Sequence, residues 1–237
     1  MTDLTTPKPA NDKPRSVVNK HSVGGAAAGA VIACCVVFTP MWEGTDYVAK
    51  PDMVGTGHPI TWCHGQTNVD RDAAHKVAAG TRFTKQECDA ELAKSLPTYL
   101  NPVSKCVKVP VPVKSMASIV DAAYNAGPAR VCASPMVAAF NRGNIRDGCN
   151  AFDGWIVRGD GHVLQGLIAR RAGELHGDKR KSERALCLEG LSDSESDWYL
   201  PDGAPHVANP APEPKAAPVK TSVSLFTKIY NAIFKRR

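Results

Sequence analysis

The sequence lacks the cysteine and histidine spacings that hold structural zinc in proteins. Its eight cysteines form neither a Cys-x-x-Cys pair nor a pattern with histidine at zinc-ligand spacing. They stand at positions 34, 35, 63, 88, 106, 132, 149 and 187. We therefore expect no metal and no other cofactor. We interpret the cysteines as disulfide partners in an oxidising compartment, provided that the chain reaches one.

Aromatic residues are also scarce, at 6% of the 237 residues, and no cluster of Lys and Arg is interleaved with them. Nucleic acid is therefore not an expected partner. The formal net charge of +6 still predicts attraction to an anionic surface, such as a phospholipid membrane or a cell-wall polymer. The sequence shows no internal repeat and no alternation typical of a parallel sheet. We also expect the protein to be a monomer.

Formal charge is absent from residues 21–42. The stretch 23–42 is about long enough to cross a bilayer as a helix, and the basic leader 1–20 predicts that the amino terminus stays in the cytoplasm. Because Gly and Ala fill its first half, lipid would hold it weakly. We favour an uncleaved signal anchor over 21–42 that can leave the membrane. A cleaved signal peptide, a lipoprotein signal at 31–34 and a buried soluble helix are the alternatives.

The carboxyl-terminal part contains two segments whose amino-acid composition differs from that of the rest of the chain. Residues 196–220 are rich in Pro and Ala, which predicts an extended linker. Residues 221–237 place apolar side chains at helical spacing and add Lys and Arg, the pattern of a basic amphipathic helix on a membrane surface. The alternative is a helix that docks back on the folded domain.

The middle of the chain, 41–195, predicts an α+β domain in which helices dominate. Its glycine- and proline-rich opening leaves room only for short strands and hairpins. Helix signals follow. Thr84 and Glu87 form a capping box, Ser134 precedes a proline at the first helical position, and Gly127 ends an apolar helix that starts near residue 114.

Two carboxylates near the start of this domain are candidate catalytic residues. Hydrolysis of a glycosidic bond needs an acid for the leaving oxygen and a second carboxylate for the water or the developing cation. Glu43 and Asp52 can be brought to one cleft by the turn between them. Glu43 directly follows Met41 and Trp42, apolar neighbours that would raise its pKa toward use as a general acid. Solvated surface acids are the alternative interpretation.

Further motifs follow these acids in one order over residues 41–190. They are Glu43-Gly44, Asp52-Met53-Val54-Gly55, Thr61-Trp62-Cys63-His64-Gly65-Gln66-Thr67, Thr84-Lys85-Gln86-Glu87-Cys88, Tyr124-Asn125-Ala126-Gly127, Phe140-Asn141-Arg142-Gly143-Asn144, Trp155 and Gly166-Leu167-Ile168-Ala169-Arg170-Arg171. Together they resemble the phage-type muramidases, the lysozymes of tailed bacteriophages. The resemblance implies a lysozyme-like fold, with a small β-hairpin lobe and a mainly helical lobe.

The resemblance also implies site residues and a substrate. Glu43 would be the general acid, while Asp52, assisted by Thr61, would activate water on the opposite sugar face. The substrate would be the β-1,4 bond between N-acetylmuramic acid and N-acetylglucosamine in peptidoglycan. Asn125 and Arg142 are further candidates for the cleft, with helix caps and surface charge as alternatives. Trp155 and the Arg170–Arg171 pair are interpreted as packing and salt bridging.

The weak apolar segment resembles the signal anchor of a subset of these enzymes, the signal-anchor-release endolysins. That subset implies an inactive form held at the inner membrane of the host and an active form released into the periplasm. The sequence departs from the family's pattern at Thr56-Gly57-His58, an apparent insertion, and at 176–182, before the last helix. The insertion puts the placement of Thr61 in question.

The family's motif positions also suggest two disulfides, Cys63 with Cys88 and Cys149 with Cys187, and Cys106 with Cys132 is a third possible pair. Control of activity by the thiols at 34 and 35 is a less favoured reading, since no cysteine replaces Asp52. Two other functions stay open. One is a lytic transglycosylase, which needs a single acid. The other is a non-enzymatic lysis protein that acts through the basic helix at 221–237.

Overall fold

A long apolar helix leads into a mostly helical fold with a small sheet near its start. The computed structural model describes residues 20–53, 57–68, 75–155, 158–159, 162–194 and 198–201. Helices in these residues are α1 (Lys20–Phe38), α2 (Pro40–Glu43), α3 (Lys85–Ser95), α4 (Pro97–Cys106), α5 (Val113–Ala126), α6 (Pro128–Cys132), α7 (Pro135–Phe140), α8 (Ile145–Asn150), α9 (Gln165–Ala172) and α10 (Glu183–Gly190), with a 3₁₀ turn at Gly173–Leu175. Strands are β1 (Asp46–Pro51), β2 (Ile60–Cys63), β3 (Gln66–Thr67), β4 (Val111–Pro112), β5 (Arg158–Gly159), β6 (His162–Val163) and β7 (Trp198–Tyr199). The predicted α+β class is confirmed.

The small lobe is built on an antiparallel sheet with the strand order β1-β2-β3. Its core consists of Ala49, Trp62 and the two half-cystines Cys63 and Cys88. Trp62 stacks on Phe83, with ring centroids 6.2 Å apart. This sheet is the predicted β-hairpin lobe, and its core is separate from the larger core of the helices.

Helix α5 is the centre of the helical lobe. Every residue from Ser115 to Ala123 is buried, and α1, α4, α6 and α10 pack around it. Close packing relies on small residues. A Cβ added to Gly190 of α10 would meet the Ser115 hydroxyl oxygen at 2.9 Å, and that hydroxyl donates to the Cys187 carbonyl over 2.8 Å. Substituting Gly190 would therefore push α10 away from α5.

The predicted anchor forms α1, and its last two turns lie in the core of the helical lobe. Val31, Cys35 and Phe38 are buried there, whereas Val37 is 75% exposed. Among the described residues, one stretch, 26–43, is long and apolar enough to cross a membrane, on grounds of length and composition only. The core helix of a soluble protein meets the same criterion, so this segment is suited to either environment.

Helix-start predictions that rested on capping residues are confirmed. Thr84 and Glu87 form the capping box of α3, and the Ser134 hydroxyl caps α7. Pro97 follows the end of α3 and also begins α4, a helix that the sequence did not predict. Proline is tolerated at this first position because the amide it lacks would have no partner inside the helix.

Three disulfides link neighbouring elements, and all three predicted pairings are confirmed. Cys63–Cys88 joins β2 to α3, Cys106–Cys132 joins α4 to α6, and Cys149–Cys187 joins α8 to α10. Each closes a loop of 25 to 38 residues, for which chain entropy predicts a stabilisation of roughly 3–4 kcal/mol. Cys34 and Cys35 remain free thiols.

The folded part continues beyond residue 195, which the sequence suggested as the end of the domain. β7 pairs antiparallel with β4, with Trp198 opposite Pro112, and Tyr199 is buried. Aromatic residues favour such pairing, so the start of the predicted 196–220 linker belongs to the compact unit that ends at Pro205. The rest of that linker, the helix predicted at 221–237 and residues 1–19 of the leader lie outside the described residues.

Candidate active site

Glu43 is the last residue of α2, immediately before a sharp turn. Its amide donates to the Thr39 carbonyl over 3.1 Å. Gly44 makes the turn with a φ of 72°, in the left-handed region that glycine adopts without steric cost. Glu43 therefore lies where the chain leaves the helices for the sheet, and 23% of its side chain is exposed.

The carboxylate of Glu43 contacts Arg170, which α9 supplies. The guanidinium NH1 donates to Glu43 Oε1, while Nε and NH2 each donate to Asp121 of α5 over 3.0 Å. Thr39 donates its hydroxyl to the same Asp121 carboxylate over 2.7 Å. Burial lowers the pKa of Arg170, but the surrounding carboxylates raise it above its ordinary value. A permanent positive charge therefore lies beside Glu43, whose surroundings are less apolar than the sequence suggested.

A second buried contact between an arginine and a glutamate lies next to the first. Arg171 donates NH1 to Glu183 Oε1 and NH2 to Asn125 Oδ1 over 2.7 Å. Its guanidinium carbon lies 4.9 Å from the centre of the Trp155 ring, and Glu183 Oε1 is also 3.3 Å from Arg170 Nε. Removal from water raises the pKa of Glu183 to about 8, against the lowering effect of Arg171. Trp155 and both arginines thus have the packing and salt-bridging contacts that the sequence suggested.

Asp52 and Thr61 lie on the β1–β2 hairpin. The Asp52 amide donates to the Pro59 carbonyl over 2.8 Å, and Lys50 is paired with Thr61. Because this register puts residue 52 opposite 59 and residue 50 opposite 61, Asp52 and Thr61 share one face of the hairpin. Diagonal neighbours of this kind are typically separated by roughly 7–8 Å.

The apparent insertion at 56–58 lies within the loop of this hairpin. Residues 54–56 are outside the described part of the chain. Gly57 and His58 both have positive φ, 80° and 45°, and His58 Nδ1 lies 2.9 Å from the Asp52 carbonyl oxygen. Since the pairing of Lys50 with Thr61 is intact, the extra residues lengthen the loop and leave Thr61 in register.

A buried histidine ties the hairpin to the turn that follows Glu43. His64 Nδ1 lies 2.8 Å from the Gly44 carbonyl oxygen. The Tyr124 hydroxyl of α5 donates to the His64 carbonyl over 2.7 Å and accepts from Gln66 Nε2 over 3.1 Å. The small lobe is thereby fixed against both α2 and α5.

An open cleft of about 260 Å³ lies over Glu43. It is lined by Trp42, Glu43, Asn125, Leu164, Gly166, Leu167, Arg170 and Arg180. Asn125, a predicted site residue, is therefore on the cleft wall. Arg142, the other lesser candidate, is exposed in the turn after α7 and is not among the described residues that line this cleft, and neither are Asp52 and Thr61.

Sequence reasoning missed three residues at or behind the cleft. Arg170 was expected only to pack and form salt bridges, and Asp121 and Arg180 were given no role. The sequence did hold a signal for Asp121, because an acid inside the apolar stretch of α5 must be paired when it is buried. Arg180 lies in the segment that departs from the family's pattern, so the resemblance gave no position for it.

Comparisons with known proteins agree with this architecture. An SAR-endolysin of Enterobacteria phage P21 is 30% identical over 173 residues, which span 71% of this chain and 92% of that protein. A mutant of P22 lysozyme shares the fold with a TM-score of 0.54 at 23% identity, over 65% of this chain and 94% of its own. The active form of P1 phage endolysin Lyz shares it with a TM-score of 0.51 at 20% identity, over 72% and 96%. Residues 40–174, more than half of this chain, match the family model for phage lysozyme. The chain therefore belongs to the phage lysozyme family.

Proposed function

We propose that this protein is a phage endolysin that hydrolyses the β-1,4 bond between N-acetylmuramic acid and N-acetylglucosamine in peptidoglycan and so lyses the host. The observation that carries the proposal is the arrangement at Glu43. A carboxylate stands at the edge of an open cleft, with Arg170 behind it and a hairpin carrying a second carboxylate fixed to the next residue. A glycan strand in the cleft would contact Glu43, and it would meet Asp52 where it extends from the cleft over the hairpin.

Glu43 is the general acid in this proposal. Arg170 contacts only Oε1, and Oε2 has no hydrogen-bond partner among the described residues, so it is free to approach the glycosidic oxygen. Arg170 and Asp121 would hold the carboxyl group in one orientation.

Asp52 and Thr61 would hold the attacking water on the other sugar face. A carboxylate accepts a proton from the water while a hydroxyl fixes its position, and attack from that face inverts the configuration. The proposal is supported by the shared face of the two residues on the hairpin. Asn125 would contact the sugar or support Arg171, and Arg142 would pair with charged groups of the cell wall outside the cleft.

Export and release would precede catalysis. Residues 21–42 would hold an inactive form at the inner membrane, and the released form would act in the periplasm. Val31, Cys35 and Phe38 cannot contact lipid and the helical core at the same time, and in this structure they lie in the core. Because the same helix leads into Glu43, release of the anchor would complete the active site.

Mass analysis of peptidoglycan products tests the activity. The wild type should release fragments with reducing muramic acid ends, and Glu43→Gln, with the same fold by circular dichroism, should release none. Products with 1,6-anhydro ends, or full activity in Asp52→Ala, would instead indicate a lytic transglycosylase. Lysis that survives Glu43→Gln would indicate a non-enzymatic protein that disrupts membranes.

A further inference from the structure

The segment 176–182 forms part of the wall of the cleft. This is the second place where the sequence departs from the family's pattern, and it carries Arg180 into the lining of the cleft beside Glu43 and Trp42. The carbonyl of Lys181 accepts a hydrogen bond from Trp42 Nε1 over 3.1 Å. The residue directly before Glu43 therefore fixes the segment in place.

Two contacts hold the Arg180 guanidinium in a defined orientation. Its carbon lies 4.0 Å from the centre of the Trp42 ring, a cation–π contact. Asp178 accepts from Arg180 Nε over 3.2 Å and from NH2 over 2.7 Å, and it also accepts from the Arg180 amide over 2.8 Å. The side chain is thus oriented before any ligand arrives, which reduces the entropy lost on binding.

The position of Asp178 is also fixed, by a hydrogen bond to Gly173 and by close packing against it. The Asp178 amide donates to the Gly173 carbonyl over 2.8 Å, and a Cβ added to Gly173 would meet the Asp178 Cβ at 2.8 Å. At the far end, Ser182 is buried and caps α10. The segment is therefore anchored on both sides of Arg180, which distinguishes Arg180 from an arginine on a free surface loop.

Arg180 keeps hydrogen-bond donors for a ligand. Its side chain is 51% exposed, and NH1 has no partner among the described residues. A planar guanidinium recognises a carboxylate through paired donors. In peptidoglycan that carries its peptide stems, the lactyl carboxyl is joined to the stem as an amide, so the sugars are uncharged and the carboxylates belong to the peptides. A cation fixed at the edge of a glycan-binding cleft is therefore suited to a peptide carboxylate on the strand being cleaved.

We propose that Arg180 is a substrate-binding residue that recognises a carboxylate of the peptide stem on the muramic acid bound next to Glu43. The inference rests on the proposed function and adds to it a preference for glycan that carries anionic peptides. Trp42 and Asp178 act through Arg180 as positioning residues.

The test compares Arg180→Gln with Lys179→Gln, a neighbour in the same segment that is exposed and does not line the cleft. On intact peptidoglycan, Arg180→Gln should lose roughly five- to tenfold in kcat/KM through a higher KM, and Lys179→Gln should match the wild type. On peptidoglycan whose carboxylates have been converted to methylamides with a carbodiimide, wild type and Arg180→Gln should agree within about twofold.

A third substrate separates two sources of carboxylate. Glycan stripped of its peptides by an amidase keeps only the lactyl carboxylate, and Arg180→Gln should lose no more on it than on the methylamide. A full loss on the stripped glycan would assign Arg180 to the lactyl group and overturn the proposal. An equal loss on all three substrates, or none, would overturn it as well.

Binding by the inactive enzyme separates this inference from the proposed mechanism. In the Glu43→Gln background, sedimentation with intact peptidoglycan should weaken about fivefold when Arg180→Gln is added, and Lys179→Gln should cause no change. If wild type cleaves no substrate, the proposed function fails. If wild type cleaves all three and the Arg180 variants bind and act like their controls, only the Arg180 inference fails.

Discussion

At the cleft wall and behind it, two arginines and three carboxyl groups form a cluster of contacts, and their charges balance when one carboxyl group is neutral. The five residues are Glu43, Asp121, Arg170, Arg171 and Glu183. Burial raises the pKa of Glu183 to about 8, so this residue carries a proton near neutral pH. The cluster as a whole then carries no net charge, which lowers the cost of burying it, although Glu43 and Asp121 both contact Arg170.

The raised pKa of Glu183 predicts a pH-dependent stability. Its value in the unfolded chain is near 4.5, so between about pH 4.5 and 8 the folded state binds more protons than the unfolded state. The contribution of Glu183 to stability should then fall as pH rises through this window, by roughly 3–5 kcal/mol. Urea unfolding of the oxidised protein at several pH values measures this slope.

Glu183→Gln should flatten that slope because the glutamine cannot titrate. Asp147→Asn, an exposed carboxyl on α8, is the matched control and should keep the wild-type dependence. A slope in Glu183→Gln as steep as in the wild type would show that another group titrates in this window.

Arg170 should matter to stability far more than an exposed cation does. Arg170→Gln leaves Asp121 buried without its bidentate partner, which should lower the free energy of unfolding by roughly 3–5 kcal/mol. Lys50→Gln removes an ion pair with Asp46 in which the lysine is 59% exposed, and it should cost less than about 1 kcal/mol. If urea unfolding shows that the two variants lose similar amounts of unfolding free energy, the buried cluster does not stabilise the fold more than an exposed ion pair does.

At the scale of elements, local capping and apolar spacing were enough to predict α3, α5 and α7. The same reasoning missed α4, and it did not locate α10 although Ser182 caps that helix; for α10 the family resemblance implied only a last helix after 176–182. The candidate site likewise contains residues that local motifs predicted and residues that they did not. Glu43, Asp52 and Thr61 belong to one short stretch with recognisable motifs. The residues behind Glu43, Asp121 of α5 and Arg170 of α9, meet only in the folded chain, and no local pattern encodes that contact.

Helix α1 offers a test of the proposed release from the membrane, because one face can be changed without touching the core. Ala26, Gly29 and Ala30 are exposed in the folded protein, and a Cβ on Gly29 would meet nothing within 4 Å. Changing all three to Leu should leave folding intact. Each added methylene strengthens lipid burial by about 0.8 kcal/mol, so the variant should remain in the membrane fraction and lyse cells late.

The matched control places Ser at positions 26, 29 and 30. It covers the same face and should fractionate and lyse like the wild type or earlier. If the Leu variant is released and lyses on the wild-type schedule, weak lipid affinity of the anchor is not what permits escape.

At the scale of the whole molecule, disulfides join other elements of the domain but not α1. This distribution is consistent with α1 docking on the domain after the disulfides have formed. The disulfides join β2 to α3, α4 to α6 and α8 to α10, whereas Cys34 and Cys35 of α1 are free. Apolar packing therefore holds α1 to the lobe without a covalent link. The rest of the domain could form its disulfides in an oxidising compartment while α1 is still in lipid, and α1 could dock afterwards.

The tail at 221–237 should govern membrane affinity and leave glycan cleavage unchanged. Its four cations make up most of the net charge of +6, so a chain ending at residue 220 carries +2. That truncation removes nothing from the compact unit, which ends at Pro205. It should cleave purified peptidoglycan like the wild type but lose binding to anionic vesicles, by roughly 1 kcal/mol for each cation at low salt.

A second variant, in which Phe226 and Phe234 are replaced with Ser at unchanged charge, separates apolar insertion from electrostatic attraction. Full vesicle binding by the truncated chain would place membrane affinity elsewhere, and loss of cleavage would mean that the tail docks on the domain.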